Sequence, residues 1–208
     1  MTRVKICGLT VLEDALWAAQ CGADLLGFVF YPPSPRRAMG ERVREIVSAV
    51  RRAFPVVGTV GVFVDEPVDR VLHVVQACGL DYVQLHGHEP PAVVAALAAQ
   101  GIEVIKVLRI KEGASPPPVE RYQAAAYLVD ASLPGRPGGT GRTLDWPRVA
   151  GAGLPEPLLL AGGLTPDNVA TAIRIVQPWG VDVAGGVERA PGRKDPERVR
   201  RFIAAAKG

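Results

Sequence analysis

The side chains able to do chemistry in this sequence stand where short apolar runs end. Cys7 closes the run that begins at Val4. A thiol in that position meets oriented backbone dipoles that favour a thiolate, which can act as base or nucleophile. Packing as a small hydrophobe is its other use. Asp130 follows Tyr127-Leu128-Val129. A carboxyl framed by apolar neighbours holds its proton more readily and can donate it, while capping or pairing with a nearby arginine is the competing role. Arg36 ends Pro32-Pro33-Ser34-Pro35-Arg36, a stiff segment that presents a planar fork suited to a carboxylate. Arg37 beside it reads as a solvated surface residue. His86 closes Val83-Gln84-Leu85. With His88 it raises the question of a metal, but no acid or third histidine falls at a companion position, so no metal is expected.

Two glycine pairs, Gly162-Gly163 and Gly185-Gly186 after Ala184, also end apolar runs. Paired glycines let the backbone approach an anion and offer N–H donors that no side chain obstructs, which points to phosphate. Asp182, in Gly180-Val181-Asp182-Val183, can hydrogen-bond a sugar hydroxyl or fix a turn. The stretch containing Gly138-Gly139-Thr140-Gly141 is long and Gly-rich enough for a lid.

These positions share one logic if the chain is an α/β barrel. Apolar runs at residues 4–7, 25–30, 57–62, 82–85, 104–108, 126–129, 158–161 and 181–183 are short and unbroken, as in strands covered on both faces. Amphipathic helical patterns at 11–19, 41–53, 67–77, 90–99, 166–176 and 196–206 alternate with them, several with Pro in the first turn. Gly22, Gly79, Gly101 and Gly180 each precede an acid two residues on, at or beside a strand, so each is read as a left-handed helix exit. Only residues 119–125 could be helical after the fifth strand, so that helix is expected to be short or irregular. The pattern predicts one (β/α)8 TIM barrel over residues 1–208. A doubly wound sheet would carry a Gly-rich turn after its first strand, and Cys7-Gly8-Leu9-Thr10 is not one. In a barrel, chemistry gathers at the C-terminal strand ends and phosphate at the loops after strands seven and eight.

Bulk properties narrow the partners. The chain has 208 residues and a net charge of +3, with basic residues scattered rather than massed. Nucleic acid and membrane surfaces are therefore not expected as partners. Three separated cysteines with no CxxC pair argue against a disulfide framework or zinc. The N-terminus runs straight into a strand with no signal-like apolar region, which suggests the cytoplasm. Either a monomer or a homodimer fits.

Lys5-Ile6-Cys7-Gly8, Gly27-Phe28-Val29-Phe30, Ser34-Pro35-Arg36, Val60-Gly61-Val62-Phe63-Val64, Val83-Gln84-Leu85-His86-Gly87, Gly138-Gly139-Thr140-Gly141, Leu160-Ala161-Gly162-Gly163-Leu164, Gly180-Val181-Asp182-Val183 and Gly192-x-Lys194-Asp195 occur in order across the chain. Together they resemble the phosphoribosylanthranilate isomerases. The resemblance implies an Amadori rearrangement in tryptophan biosynthesis, with no metal or organic cofactor. It further implies Asp130 as general acid, Cys7 as base, Arg36 on the anthranilate carboxylate, and Gly163 and Gly185 with their neighbours on the phosphate. One departure stands out: the family often has two small hydroxyl residues where this chain has Ala184-Gly185, so the phosphate would rely on backbone donors.

Rival readings are fewer. An indole-glycerol-phosphate synthase needs a catalytic Lys and Glu set, and Lys106 is taken as the sole lysine on a central strand. A pentose-phosphate epimerase needs metal-binding His and Asp residues on several strands, which the sequence does not offer. A non-catalytic phosphosugar-binding barrel is the rival from another class.

Overall fold

Unbroken runs of Val, Ile and Leu suit strands whose two faces are both buried, and here each face meets a different core. The computed structural model describes residues 1–109, 119–130 and 146–208. Eight parallel strands close in sequence order: β1 (Arg3–Ile6), β2 (Leu25–Val29), β3 (Gly58–Phe63), β4 (Tyr82–Leu85), β5 (Glu103–Arg109), β6 (Ala126–Asp130), β7 (Leu158–Leu160) and β8 (Gly180–Val183). Closure comes from β1 pairing with β8, with Lys5 opposite Asp182 and Ile6 opposite Val183. The barrel and its strands stand where the sequence pattern placed them, within a residue or two at most ends.

Strand alternation sorts the side chains. One parity points inward, where Leu25, Val60, Ile105, Val107, Ala126, Leu128, Leu159 and Ala161 form a single packed cluster. The other parity points outward to a larger core beneath the helices, which includes Val4, Ile6, Leu26, Phe28, Val83, Val104, Val129 and Val181. The helices are α1 (Leu12–Gln20), α2 (Gly40–Ala53), α3 (Val68–Cys78), α4 (Pro91–Ala98), α5 (Trp146–Ala150), α6 (Val169–Val176) and α7 (Pro196–Lys207). The sequence pattern did not place α5, and only a 3-10 turn at Val119–Arg121 is described between β5 and β6, in keeping with a short or irregular element there. Asp195 caps α7 by accepting from the N–H groups of Glu197 and Arg198, with Pro196 in its first turn.

Two expectations need correction. Gly180 is not a left-handed helix exit. Gln177 takes that conformation at φ 54°, and Gly180 begins β8 where a Cβ would lie 2.8 Å from Leu159 and 3.0 Å from Arg3. Lys106 is also not the lone lysine on a central strand, because Lys5 lies on β1. Lys106 has outward parity, and its Nζ donates to the Glu89 carboxylate at 2.6 Å and to the Gly87 carbonyl at 3.1 Å. It ties down the segment after β4 from outside the barrel.

A further pair of short strands, β9 (Glu188–Ala190) and β10 (Arg193–Lys194), forms an antiparallel ribbon between β8 and α7. Its alternation is too brief to show in the sequence.

Candidate active site

Cys7 directly follows β1 and donates its N–H to the Val183 carbonyl at 2.8 Å, extending the pairing with β8 beyond the strand. Lys5 is two residues back and so shares its inward face. Lys5 is wholly buried, and its Nζ donates to Asp182 Oδ1 at 2.8 Å. A Cβ at Gly27 of β2 would lie 2.8 Å from Cys7 Sγ and 3.1 Å from Lys5 Nζ, so both heads converge on the space that this glycine leaves empty. Burial pushes the Cys7 thiol up from its ordinary value, against the pull of Lys5. Burial also presses Lys5 down, but Asp182 and Cys7 together outweigh it and raise the ammonium above its usual range. Asp182 is therefore engaged by a barrel lysine rather than by a turn, which neither sequence-based role anticipated.

Asp130 ends β6 with the same parity as Leu128 and Ala126, which lie in the interior cluster. His86 has the parity of Gln84 on β4, so both reach the mouth from within. Their side chains meet: His86 Nε2 lies 3.3 Å from Asp130 Oδ2. The other ring nitrogen, Nδ1, is 3.1 Å from Gln84 Nε2. Asp130 thus lies against a histidine at the mouth.

Arg36 is positioned as its Pro-rich segment suggested, with its N–H donating to Ser34 Oγ at 3.1 Å. Its fork is already half used. Nε donates to Glu188 Oε1 at 2.9 Å and Nη2 to Oε2 at 2.7 Å. The expected two-toothed pair with a carboxylate is therefore made inside the protein, leaving Nη1, which has no hydrogen-bond partner among the described residues. Gly8, at φ 77°, makes room for the arginine stem, since a Cβ there would lie 2.7 Å from Arg36 Cδ.

The two glycine loops lie against each other. Gly162 and Gly163 both have positive φ, and Asn168 Nδ2 donates to the Gly163 carbonyl at 3.0 Å. A Cβ on Gly186 would fall 1.9 Å from the Leu164 carbonyl oxygen, so no other residue fits where the loops touch. Among the described residues, the N–H groups of Gly162, Gly163, Gly185 and Gly186 reach no acceptor. Gly138, Gly139, Thr140 and Gly141 lie outside the described residues.

Sequence reasoning gave no role to three charged residues that organise this mouth. Lys194 on β10 is buried, and its Nζ donates to the carbonyls of Cys7 at 2.6 Å and Ala184 at 3.1 Å and to Glu188 Oε1 at 3.0 Å. One ammonium thus fastens the end of β1 to the end of β8. Burial drives Lys194 below the usual lysine range, against Glu188. Burial also lifts the Glu188 carboxyl, but Arg36 and Lys194 outweigh it and hold it below the ordinary carboxylate value. Lys5 is the third. Its signal was present: a lysine and an aspartate interrupt two strands that a closed barrel must place side by side.

Among the described residues no group of three or more His, Cys, Asp or Glu side chains could hold a metal ion. No described helix is long and apolar enough to cross a membrane.

The family model of N-(5'-phosphoribosyl)anthranilate (PRA) isomerase matches residues 4–205. The chain belongs to the phosphoribosylanthranilate isomerase family. A curated phosphoribosylanthranilate isomerase from Geobacter sulfurreducens is 50% identical over 208 residues, covering all of both chains. The crystal structure of phosphoribosylanthranilate isomerase from Thermotoga maritima superimposes with a TM-score of 0.89 at 41% identity, again over the whole of both chains. Another structure of phosphoribosylanthranilate isomerase holds reduced 1-(o-carboxyphenylamino)-1-deoxyribulose 5-phosphate. It shares 38% identity with this chain at a TM-score of 0.84, over the whole of both chains.

Proposed function

We propose that this chain carries out its family's reaction, the rearrangement of N-(5'-phosphoribosyl)anthranilate to the aminodeoxyribulose phosphate, with Asp130 as acid and Cys7 as base. The observation that carries the assignment is the family match from residue 4 to residue 205. The acid–base assignment draws its support from Cys7 and Asp130, which stand on the inward face at the C-terminal ends of β1 and β6. Asp130 protonates the ribose ring oxygen, the C1–oxygen bond breaks, and the anthranilate nitrogen takes the positive charge as an iminium. That charge acidifies the C2 proton, which the Cys7 thiolate removes. The resulting enolamine gains a proton at C1, loses the proton of its C2 hydroxyl and becomes the ketone. The substrate nitrogen is the electron sink, so the chemistry asks only for placed acid and base groups.

The phosphate lies against the unengaged N–H groups of Gly162, Gly163, Gly185 and Gly186, with Ala184 leading the second loop. His86 and Asp182 border the sugar, Asp182 through the lysine it holds. The lid role of residues 138–141 belongs to the same proposal. Substrate generated in situ, because it is labile, should be converted to the ketose by the purified protein. Binding without conversion would favour a non-catalytic phosphosugar barrel.

Arg36 meets the anthranilate carboxylate through the Nη1 end of its guanidinium while Glu188 holds the opposite edge. A hydrogen bond to a charged group contributes about 1.5–3 kcal/mol, so losing this one costs about tenfold or more. Arg36→Lys should therefore lower kcat/KM at least about tenfold, and Arg37→Lys should change it little. The Arg36→Lys defect should shrink with a substrate analogue that lacks the carboxylate. Equal defects at both arginines, or one undiminished with the analogue, would remove Arg36 from carboxylate recognition.

A further inference from the structure

A buried thiol is a poor base. Taking Cys7 out of water disfavours its charged form, and a thiolate there needs a cation close by. Two lysines approach Cys7, and they differ in what remains to their ammonium groups. An ammonium has three donors. Lys194 spends all three, on the Cys7 carbonyl, the Ala184 carbonyl and Glu188. Lys5 Nζ is wholly buried and donates to Asp182 Oδ1 at 2.8 Å. Its other donors face the pocket at Gly27, where Cys7 Sγ also points. No side chain from β2 intrudes between them, because residue 27 is glycine. Asp182 fixes the ammonium in place from β8 and keeps it protonated.

We propose that Lys5, clamped by Asp182 and facing Cys7 across the Gly27 gap, is the positioning residue that eases ionisation of the Cys7 sulfur for proton abstraction. This rests on Cys7 being the base. The charged groups that bear on Cys7 are Lys5 on its own strand, Asp182 on β8 and Lys194 on β10. Lys5 is the strongest favourable one, Asp182 opposes it through its own charge, and Lys194 contributes less. Lys5 acts through Cys7 and does not exchange protons with the substrate.

The test follows Cys7 without relying on turnover. Iodoacetamide alkylation of the Cys7 peptide, quantified by mass spectrometry against pH, gives the thiol midpoint, and the Cys21 peptide in the same digest is an internal control. Lys5→Met should raise the Cys7 midpoint by about one pH unit or more and leave Cys21 unmoved. The rising limb of kcat/KM against pH should shift with it, so that alkaline pH recovers part of the lost activity. Removing one partner of a buried ion pair strains folding, so Lys5→Met/Asp182→Asn, which removes both charges, is the second variant. Its midpoint should also rise, by less. Lys5→Arg, which keeps the cation, should restore the midpoint towards that of the parent. A Cys7 midpoint unmoved in both Lys5→Met variants overturns the proposal, and so does a moved midpoint with an unmoved kcat/KM limb. Should Cys7 itself not be the base, Cys7→Ala would keep its activity whatever the titration shows, so the two failures are distinguishable.

Discussion

Cys7→Ala should abolish turnover while the protein stays folded. The side chain is small and lies at the open end of the barrel, 7% exposed, so removing the sulfur leaves little cavity. The hydrogen bonds that hold this turn use the Cys7 backbone, whose N–H reaches Val183 and whose carbonyl takes Lys194, and alanine keeps both. What disappears is the group proposed to take the C2 proton. Loss of a general base typically costs about 10² to 10⁴ in rate. The expected result is therefore a fall in kcat of that order with a melting temperature close to the parent's. Near-normal activity in a folded Cys7→Ala protein would remove the thiol from the mechanism and pass the base role to another group.

Asp130→Asn should cut kcat by a comparable factor, about 10² to 10⁴, and leave KM within a few-fold. Asparagine keeps the size and can still accept a hydrogen bond, so the contact with His86 at 3.3 Å survives in outline. It cannot deliver a proton to the ring oxygen. An interaction needed only in the transition state shows in kcat, whereas one made equally to the bound substrate shows in KM. Unchanged kcat with raised KM would recast Asp130 as a substrate-binding residue. Because His86 sits on Asp130 at the mouth, His86→Ala is the companion measurement. A kcat loss smaller than that of Asp130→Asn would mark the histidine as the group that orients the acid.

Most of the barrel was legible because its signals are local. Eight apolar runs of strand length, each followed by turn residues, need no knowledge of what packs where. The strand-end rule then led directly to Cys7, Asp130, His86 and the glycine loops. What escaped depends on contacts between residues far apart in the chain. Nothing near Arg36 reveals that Glu188, 152 positions on, closes around one edge of its guanidinium. Nothing near Lys194 reveals that its ammonium reaches back 187 positions to the Cys7 carbonyl. Both partners sit on β9 and β10, strands of three and two residues that are too short to alternate visibly. The Lys5–Asp182 pair is the intermediate case. Each residue interrupts an apolar strand, and barrel closure places the two side by side, so parity and closure together could have foretold it. Gly180 misled for the opposite reason: its local phrase looks like a helix exit, but its smallness serves the approach of Leu159 and Arg3.

The proposed rearrangement asks only for this protein's own side chains as acid and base. Turnover of N-(5'-phosphoribosyl)anthranilate, generated in situ, after exhaustive EDTA treatment and dialysis tests it most directly. Conversion to the aminodeoxyribulose phosphate is expected at an undiminished rate that added divalent ions do not raise. Activity lost to EDTA and restored by a divalent ion would contradict it.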